Sequence, residues 1–278
     1  MNKVAKRLLT FFIGIPVVLL LVFCDVLHQL PLQIVITLFS ALGSFELYNM
    51  ISKDNKLFPK ALIVIGTALL PISTYIFMIT NISFAEILPL VFICEAVILM
   101  GIEGFSGKTF ETSLNKIAKS IFIIFYCGFL MTYLSRMSSL KNAKFMISLF
   151  LIFVFMCDSG AWFFGILFGK STRGVFAASP NKSIVGFIGG IITSIAFGIL
   201  FKVIFPEIIT CSYLKLCILG FITALAGIIG DLIESVFKRS CNVKDSGNIM
   251  PGRGGILDCI DSILISAPVF YVGQYFLF

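Results

Sequence analysis

Residues 184–205 read IVGFIGGIITSIAFGILFKVIF, an apolar run in which Lys202 is the one charged residue. A helix needs about 20 consecutive apolar residues to cross the hydrocarbon core of a bilayer, so this run predicts a transmembrane span. The rest of the chain has the same character. Of its 278 residues 59% are hydrophobic and 13% are charged, whereas soluble domains carry about 25% charged residues. The composition indicates an integral membrane protein without a separate soluble domain.

Similar apolar runs recur along the chain and predict about nine transmembrane helices in an all-α, polytopic bundle. The runs are continuous rather than alternating, which excludes a transmembrane β-barrel. The predicted spans are 8–24, 30–51, 61–79, 84–100, 117–134, 145–168, 184–205, 212–232 and 262–278.

Basic residues collect in alternate loops, which predicts the orientation of the chain. They precede the first predicted span and follow the second, fourth, sixth and eighth. Loops rich in Lys and Arg stay on the cytoplasmic side of a membrane, so these loops are predicted to be cytoplasmic. The loop that carries Arg136, Lys141 and Lys144 breaks the pattern, because it falls on the outer side.

One polar stretch stands out, residues 230–262, GDLIESVFKRSCNVKDSGNIMPGRGGILDCIDS. Asp231 and Glu234 are three residues apart, as are Asp258 and Asp261, so each pair shares a helix face. Carboxylates on one face can hold a divalent metal ion, although both members of the second pair could instead cap a helix. Glycine-rich backbone between the pairs lets N–H groups approach phosphate oxygens. The stretch predicts a metal-dependent enzyme acting on a phosphate-bearing substrate at the cytoplasmic membrane face.

Polar residues upstream extend this prediction. Asp158 lies within the sixth span, where a carboxylate is costly unless it faces a polar cavity. The segment Ser179–Ser183 precedes the seventh span, and a helix start with Lys182 beside it favours a phosphate, although a simple helix cap explains it too. Gly186 and Gly190 have the spacing of a close helix contact. Glu46 also falls within a span, which indicates an interior polar contact or a functional role.

These segments together resemble the phosphatidate cytidylyltransferase, or CDP-diacylglycerol synthase, family. The polar stretch follows the pattern SxxKRxxxxKD and then PGxGGxLDxxDS, from Ser235 to Ser262. Residues 158–165, DSGAWFFG, and 179–183, SPNKS, resemble two further family segments. Family members usually have His at Arg253, Arg at Cys259, Glu at Val185 and Thr at Ser183.

The resemblance implies transfer of CMP from CTP to phosphatidic acid, giving CDP-diacylglycerol and pyrophosphate with the help of one Mg²⁺ ion or a pair. It implies a bacterial-type inner membrane and a catalytic region at 141–278 with a cytoplasm-facing cavity. Residues 1–140 would form a scaffold and offer contacts for a homodimer. The catalytic residues implied are Lys238, Arg239, Lys244 and Asp245, and the metal ligands are Asp231, Asp258 and Asp261. The substrate-binding residues implied are Asp158, Ser179, Asn181, Lys182, Ser183, Ser235, Gly252, Arg253, Gly254 and Gly255.

Two other classes of protein fit parts of the pattern. A CTP-dependent lipid kinase of the polyprenol or phytol type would use the same nucleotide but would release CDP. An anion transporter would use Asp158 as its binding residue, but transporters usually have paired broken helices in two related halves, and here the charged residues concentrate toward the C-terminal end. Nucleic acid is not an expected partner.

Overall fold

The structure is a computed structural model that describes residues 14, 16–81, 83–107, 110–250, 252 and 254–277. Within these residues, eight helices are long and apolar enough to cross a membrane. They are α1 (Leu30–Ile51), α2 (Lys60–Ile79), α3 (Phe84–Ser106), α4 (Ser113–Ser139), α5 (Ala143–Leu167), α6 (Ile184–Ile204), α7 (Tyr213–Ser240) and α8 (Leu257–Leu277).

The helices confirm the prediction of an all-α, membrane-spanning fold, and they match the second to ninth predicted spans. The first predicted span, 8–24, is helical over 16–23, and most of its remainder lies outside the described residues. Across the described part of the chain, β-structure is limited to two isolated bridges. The chain is an integral membrane protein.

Two compact units divide the chain. The first combines the described residues up to Ser139 with Cys241–Ile260, and the second combines Leu140–Ser240 with Asp261–Phe278. Helix α8 therefore begins in the first unit and continues in the second. The polar stretch is divided as well, because its loop belongs to the first unit and Asp231 to the second.

Helix α4 contains a π-helical segment where it packs against neighbouring helices of the first unit. Residues Ile124–Phe129 form a π-helical segment. A Cβ at Gly128 would lie 2.9 Å from the backbone oxygen of Thr67 in α2, so the glycine permits this close approach. The Ser40 hydroxyl of α1 donates to the backbone oxygen of Cys127 at 2.7 Å. A π segment loosens the helical ladder, and here a neighbouring helix supplies a hydrogen bond within it.

Arg136 lies inside the first unit rather than in a loop. Helix α4 extends to Ser139, and the Arg136 guanidinium is buried with its carbon 4.4 Å from the centre of the Tyr133 ring. The positive-inside rule counts basic residues in loops. One of the three basic residues that break the predicted pattern is therefore a packed side chain, which explains that part of the exception.

Glycines of α6 hold it against α5 in the second unit. A Cβ at Gly190 would lie 2.6 Å from the backbone oxygen of Cys157, and one at Gly186 would lie 2.7 Å from that of Ala161. This confirms the predicted close helix contact. Helix α5 continues without a break through Asp158 and Gly160. Gly160 leaves room for Thr193 of α6, because a Cβ there would lie 2.5 Å from the Thr193 hydroxyl oxygen.

Candidate active site

Four carboxylates gather in the second unit, and we call them the acidic cluster: Asp158 of α5, Asp231 and Glu234 of α7, and Asp261 of α8. The first three lie close enough to Asp261 to interact with it electrostatically. Asp261 is 8% exposed and Glu234 is fully buried. Like charges at these two buried positions would repel strongly because little water screens them, so cations beside the cluster are favourable.

Two lysines supply part of that compensation. The Lys182 Nζ lies 2.5 Å from Asp231 Oδ2, which joins the start of α6 to α7. Lys238 forms an ion pair with Glu234 one helical turn earlier on α7. Residues four apart on a helix lie on the same face, which brings these two side chains together. Lys182 and Lys238 are thus held directly against the acids.

A glycine sets the distance between α7 and α8 at the cluster. A Cβ at Gly230 would lie 2.5 Å from the backbone oxygen of Asp261. Any larger residue would push α8 away. Gly230 therefore places its neighbour Asp231 where α8 approaches α7 closely. The Asp261 Oδ1 accepts a hydrogen bond of 2.6 Å from the N–H of Ser262.

Hydrogen bonds help to fix the loop before α6. Ser183 is the N-cap of α6, and its hydroxyl accepts a hydrogen bond of 3.1 Å from the N–H of Gly186. The Arg239 Nε donates to the backbone oxygen of Ala178 at 3.2 Å. Asn181 and Arg239 are both exposed. The predicted capping role of Ser183 is confirmed, and Ser179, Asn181 and Lys182 lie in the same loop.

The first unit holds a second polar arrangement, which we call the Glu46 cluster. The Glu46 carboxylate, on α1, is 3% exposed. It accepts hydrogen bonds from the Ser246 hydroxyl at 3.0 Å, the Ile256 N–H at 3.0 Å and the Leu257 N–H at 2.9 Å. Asp258 belongs to the same arrangement. Its Oδ2 accepts from the Ser246 N–H at 2.9 Å and the Gly255 N–H at 2.7 Å, and it shares with Glu46 the single proton of the Ser246 hydroxyl, which lies at 2.8 Å.

The N–H groups at the start of α8 thus bind carboxylates of the protein itself. Helix N-termini favour anions because of their free N–H groups and their dipole. Gly255 is a predicted substrate-binding residue, and in this structure the N–H groups of residues 255–257 bind Asp258 and Glu46.

The other predicted site residues differ in their surroundings. Gly252 and Gly254 have φ angles of 81° and 112° in a tight turn, where the Gly254 N–H donates to the Met250 oxygen at 3.1 Å. Lys244 and Asp245 are exposed, and Asp245 helps to line a cavity of about 220 Å³ with Asn49, Lys53 and Asn248. Arg253 lies outside the described residues, and Ser235 is buried on α7.

Two carboxylates of these clusters were not among the predicted site residues. Glu234 follows Asp231 by three residues and precedes Lys238 by four, and that spacing was the available signal. Glu46 had a weaker signal, its position inside an apolar span, because its hydrogen-bond donors lie 200 or more residues away in the sequence.

Comparison with known proteins identifies the family to which this chain belongs. The model of the cytidylyltransferase family matches residues 5–277. The chain belongs to the cytidylyltransferase family. It is similar to the phosphatidate cytidylyltransferase of Bacillus subtilis, with 29% identity over 98% of this chain and 97% of the relative. The enzymes of the same name from Staphylococcus saprophyticus and Aquifex aeolicus are 41% and 33% identical. Those two matches cover 51% and 60% of this chain and 52% and 60% of the relatives. The predicted family is confirmed.

The acidic cluster of this cytidylyltransferase has the donor type that a hard divalent cation prefers. Its ligating atoms are carboxylate oxygens, and Mg²⁺ is bound through carboxylates, water and substrate phosphates. Four carboxylates face two lysines, so the cluster can accept further positive charge. Among the described residues, no three His, Cys, Asp or Glu side chains already converge as a metal site. In chemistry the carboxylate donors fit Mg²⁺.

Proposed function

We propose that this cytidylyltransferase joins CTP and phosphatidic acid into CDP-diacylglycerol and releases pyrophosphate. The acidic cluster with Lys182 and Lys238, in a chain that matches the family over residues 5–277, carries this proposal. An oxygen of the lipid phosphate forms a bond to the α-phosphorus of CTP. The bond from that phosphorus to the bridging oxygen of the β-phosphate breaks, and pyrophosphate leaves with the electron pair.

Charge is the main obstacle to this reaction, because an anionic lipid phosphate must approach a triphosphate. The lipid phosphate is already ionised at neutral pH, so the site needs no general base. We assign Lys182, Lys238 and Arg239 to the phosphates, which they bind through charge-assisted hydrogen bonds. Lys182 and Lys238 are positioned by Asp231 and Glu234 before substrate arrives.

A metal ion forms the second part of the proposal. We assign Asp231 and Asp261 as ligands of Mg²⁺, which when bound supplies charge neutralisation for the triphosphate. Asp258 is the third predicted ligand, and its Oδ2 lies within hydrogen-bond distance of three donors in the Glu46 cluster. Its direct part in metal binding stays a prediction. The role of Asp158 in lining the predicted cytoplasm-facing cavity and the catalytic roles of Lys244 and Asp245 stay predictions as well.

Turnover by the purified protein in detergent tests the proposed function. CTP, phosphatidic acid and Mg²⁺ are supplied, and pyrophosphate and the lipid product are both measured. We expect CDP-diacylglycerol that requires both the lipid and the metal. A parallel reaction contains a polyprenol in place of phosphatidic acid. Release of CDP and formation of polyprenyl phosphate there, without CDP-diacylglycerol synthesis from phosphatidic acid, would contradict the proposal in favour of a lipid kinase.

The location and assembly of the enzyme complete the proposal. We place it in the bacterial inner membrane with residues 241–256 on the cytoplasmic side, in line with the basic loops. Trypsin applied to vesicles of each orientation tests this, because Lys244 is exposed and should be cleaved in inside-out vesicles. The predicted homodimer is tested by the mass of the detergent-solubilised protein in light scattering.

A further inference from the structure

Glu46 is a buried anion whose partners all belong to the loop and helix start that carry predicted site residues. Its carboxylate is 3% exposed on a membrane-spanning helix. An uncompensated charge in that position costs several kcal/mol, so its hydrogen bonds are essential to its presence there. The donors are the Ser246 hydroxyl and the N–H groups of Ile256 and Leu257.

The loop is shaped around this carboxylate. A Cβ added at Gly247 would collide with Glu46 Oε1, and one added at Gly255 would collide with Glu46 Oε2 and with the Ser246 hydroxyl. Both glycines therefore give the backbone room to close on the carboxylate. The Ser246 hydroxyl lies within hydrogen-bond distance of Glu46 and Asp258 together, at 3.0 and 2.8 Å. The contacts of Glu46 thereby extend to Asp258 at the start of α8.

We propose that Glu46 is a positioning residue for nucleotidyl transfer. It holds the loop that contains Lys244 and Asp245, together with the first turn of α8, in the conformation that binds CTP. This inference rests on the proposed function. Groups that orient directly acting residues through hydrogen bonds typically change activity by about 10–100-fold when they are removed. Glu46 itself contacts the loop and not, on this proposal, the nucleotide.

Replacement of Glu46 by glutamine tests the proposal, because the side chain keeps its length and loses one acceptor oxygen. The Ile256 N–H is bound by Oε1 and the Leu257 N–H by Oε2, so the amide nitrogen of glutamine would face one of these donors. Glu103→Gln is the matched control. Glu103 is another buried carboxylate of the first unit, 6% exposed, and its partners are Lys116 and Ser113 rather than the loop.

Three measurements are made on the full-length protein in detergent. The first is amide hydrogen exchange in the peptide covering residues 246–257. Glu46→Gln should accelerate it about tenfold, because a buried N–H loses a charged acceptor. The second is the KM for CTP, which should rise about tenfold, with a fall in kcat. The third is the thermal unfolding midpoint, which shows how much of any loss of activity results from a general decrease in stability. Glu103→Gln should leave the exchange and the KM at wild-type values.

The readouts separate a positioning role from a structural one. A variant that lost activity because some molecules misfold would have a lower kcat with an unchanged KM for CTP. That result, or unchanged exchange in residues 246–257, would overturn the proposal. If Glu46→Gln does not fold, Ser246→Ala serves in its place, because it removes the shared hydroxyl and leaves the two backbone hydrogen bonds; the same two changes are expected, each smaller. A wild-type protein without CDP-diacylglycerol synthesis would count against the proposed function, whereas the exchange measurement would still test the hydrogen bonds of Glu46.

Discussion

Replacing Gly230 with alanine is expected to impair the enzyme by shifting α8 at the acidic cluster. The added Cβ would lie 2.5 Å from the Asp261 backbone oxygen, and ordinary contact begins at 3.4 Å, so one of the two helices must move by the difference of 0.9 Å. Overpacking of this kind costs about 1–3 kcal/mol. Alanine recovers about 1 kcal/mol as a better helix former than glycine. The net loss of stability is therefore modest, about 0–2 kcal/mol.

The effect on catalysis should be larger than the effect on stability. A displacement of about 1 Å at reacting groups can lower a rate about 100-fold. We expect kcat for pyrophosphate release to fall by roughly that factor, with a small decrease in the thermal unfolding midpoint.

Gly227→Ala is the matched control on the same helix. Its Cβ would meet the Ser262 Cβ at 3.7 Å, an ordinary contact, so activity should persist and stability should stay equal or rise. Full activity of Gly230→Ala, or an equal loss in Gly227→Ala, would refute the reasoning.

Three further predictions follow from the second unit. Asp261→Asn keeps the shape of the side chain but removes its charge; we expect turnover to fall at least about 100-fold with little change in unfolding temperature, and activity above a tenth of wild type would contradict the metal assignment. Removal of divalent ions with a chelator should stop turnover, and Mg²⁺ but not Na⁺ should restore it; turnover that continues in the chelator would exclude the metal. Ser183→Ala deletes the cap of α6 and should lower the free energy of unfolding by about 0.5–2 kcal/mol, measured by denaturant titration in detergent, whereas Asn181→Ala, at an exposed neighbour, should have no such effect.

The transmembrane helices could be predicted from sequence because their determinant is local. A run of about 20 apolar residues has to form a helix in a bilayer, where every backbone polar group must be satisfied within the segment. The predicted run 184–205 and the observed helix Ile184–Ile204 differ by one residue. The contact made by Gly186 and Gly190 was predictable for the same reason, since their spacing alone places them on one helix face.

The partners of the buried charges could not be predicted in this way. Lys238 and Glu234 are four residues apart, and their ion pair follows from helical spacing. Glu46 and Ser246 meet across 200 residues of sequence, and no local periodicity encodes that hydrogen bond. A single sequence indicates that a carboxylate in an apolar span needs a partner, but only the packed helices identify which one.

Arg136 illustrates a different limit. The predicted spans place every basic residue outside an apolar run in a loop. Helix α4, however, extends past Arg136, and the Arg136 side chain is buried. An aromatic neighbour can accommodate a guanidinium within a protein, here Tyr133. Hydropathy alone places such a residue in a solvent-exposed loop. The positive-inside rule then counts it as a loop charge, although its side chain is buried in the protein.

The separation of Glu46 from its donors also has a consequence for biosynthesis. Ribosomes add about 5–20 residues per second, so the 200 residues between Glu46 and Ser246 represent roughly 10–40 s of translation. During that interval helix α1 is made and inserted, while the serine hydroxyl and the two amides that will bind its carboxylate have not yet been synthesised. Closure of the Glu46 cluster therefore has to wait for the synthesis of Leu257, and a nascent chain interrupted before Ser246 would contain the Glu46 carboxylate without any of these three donors.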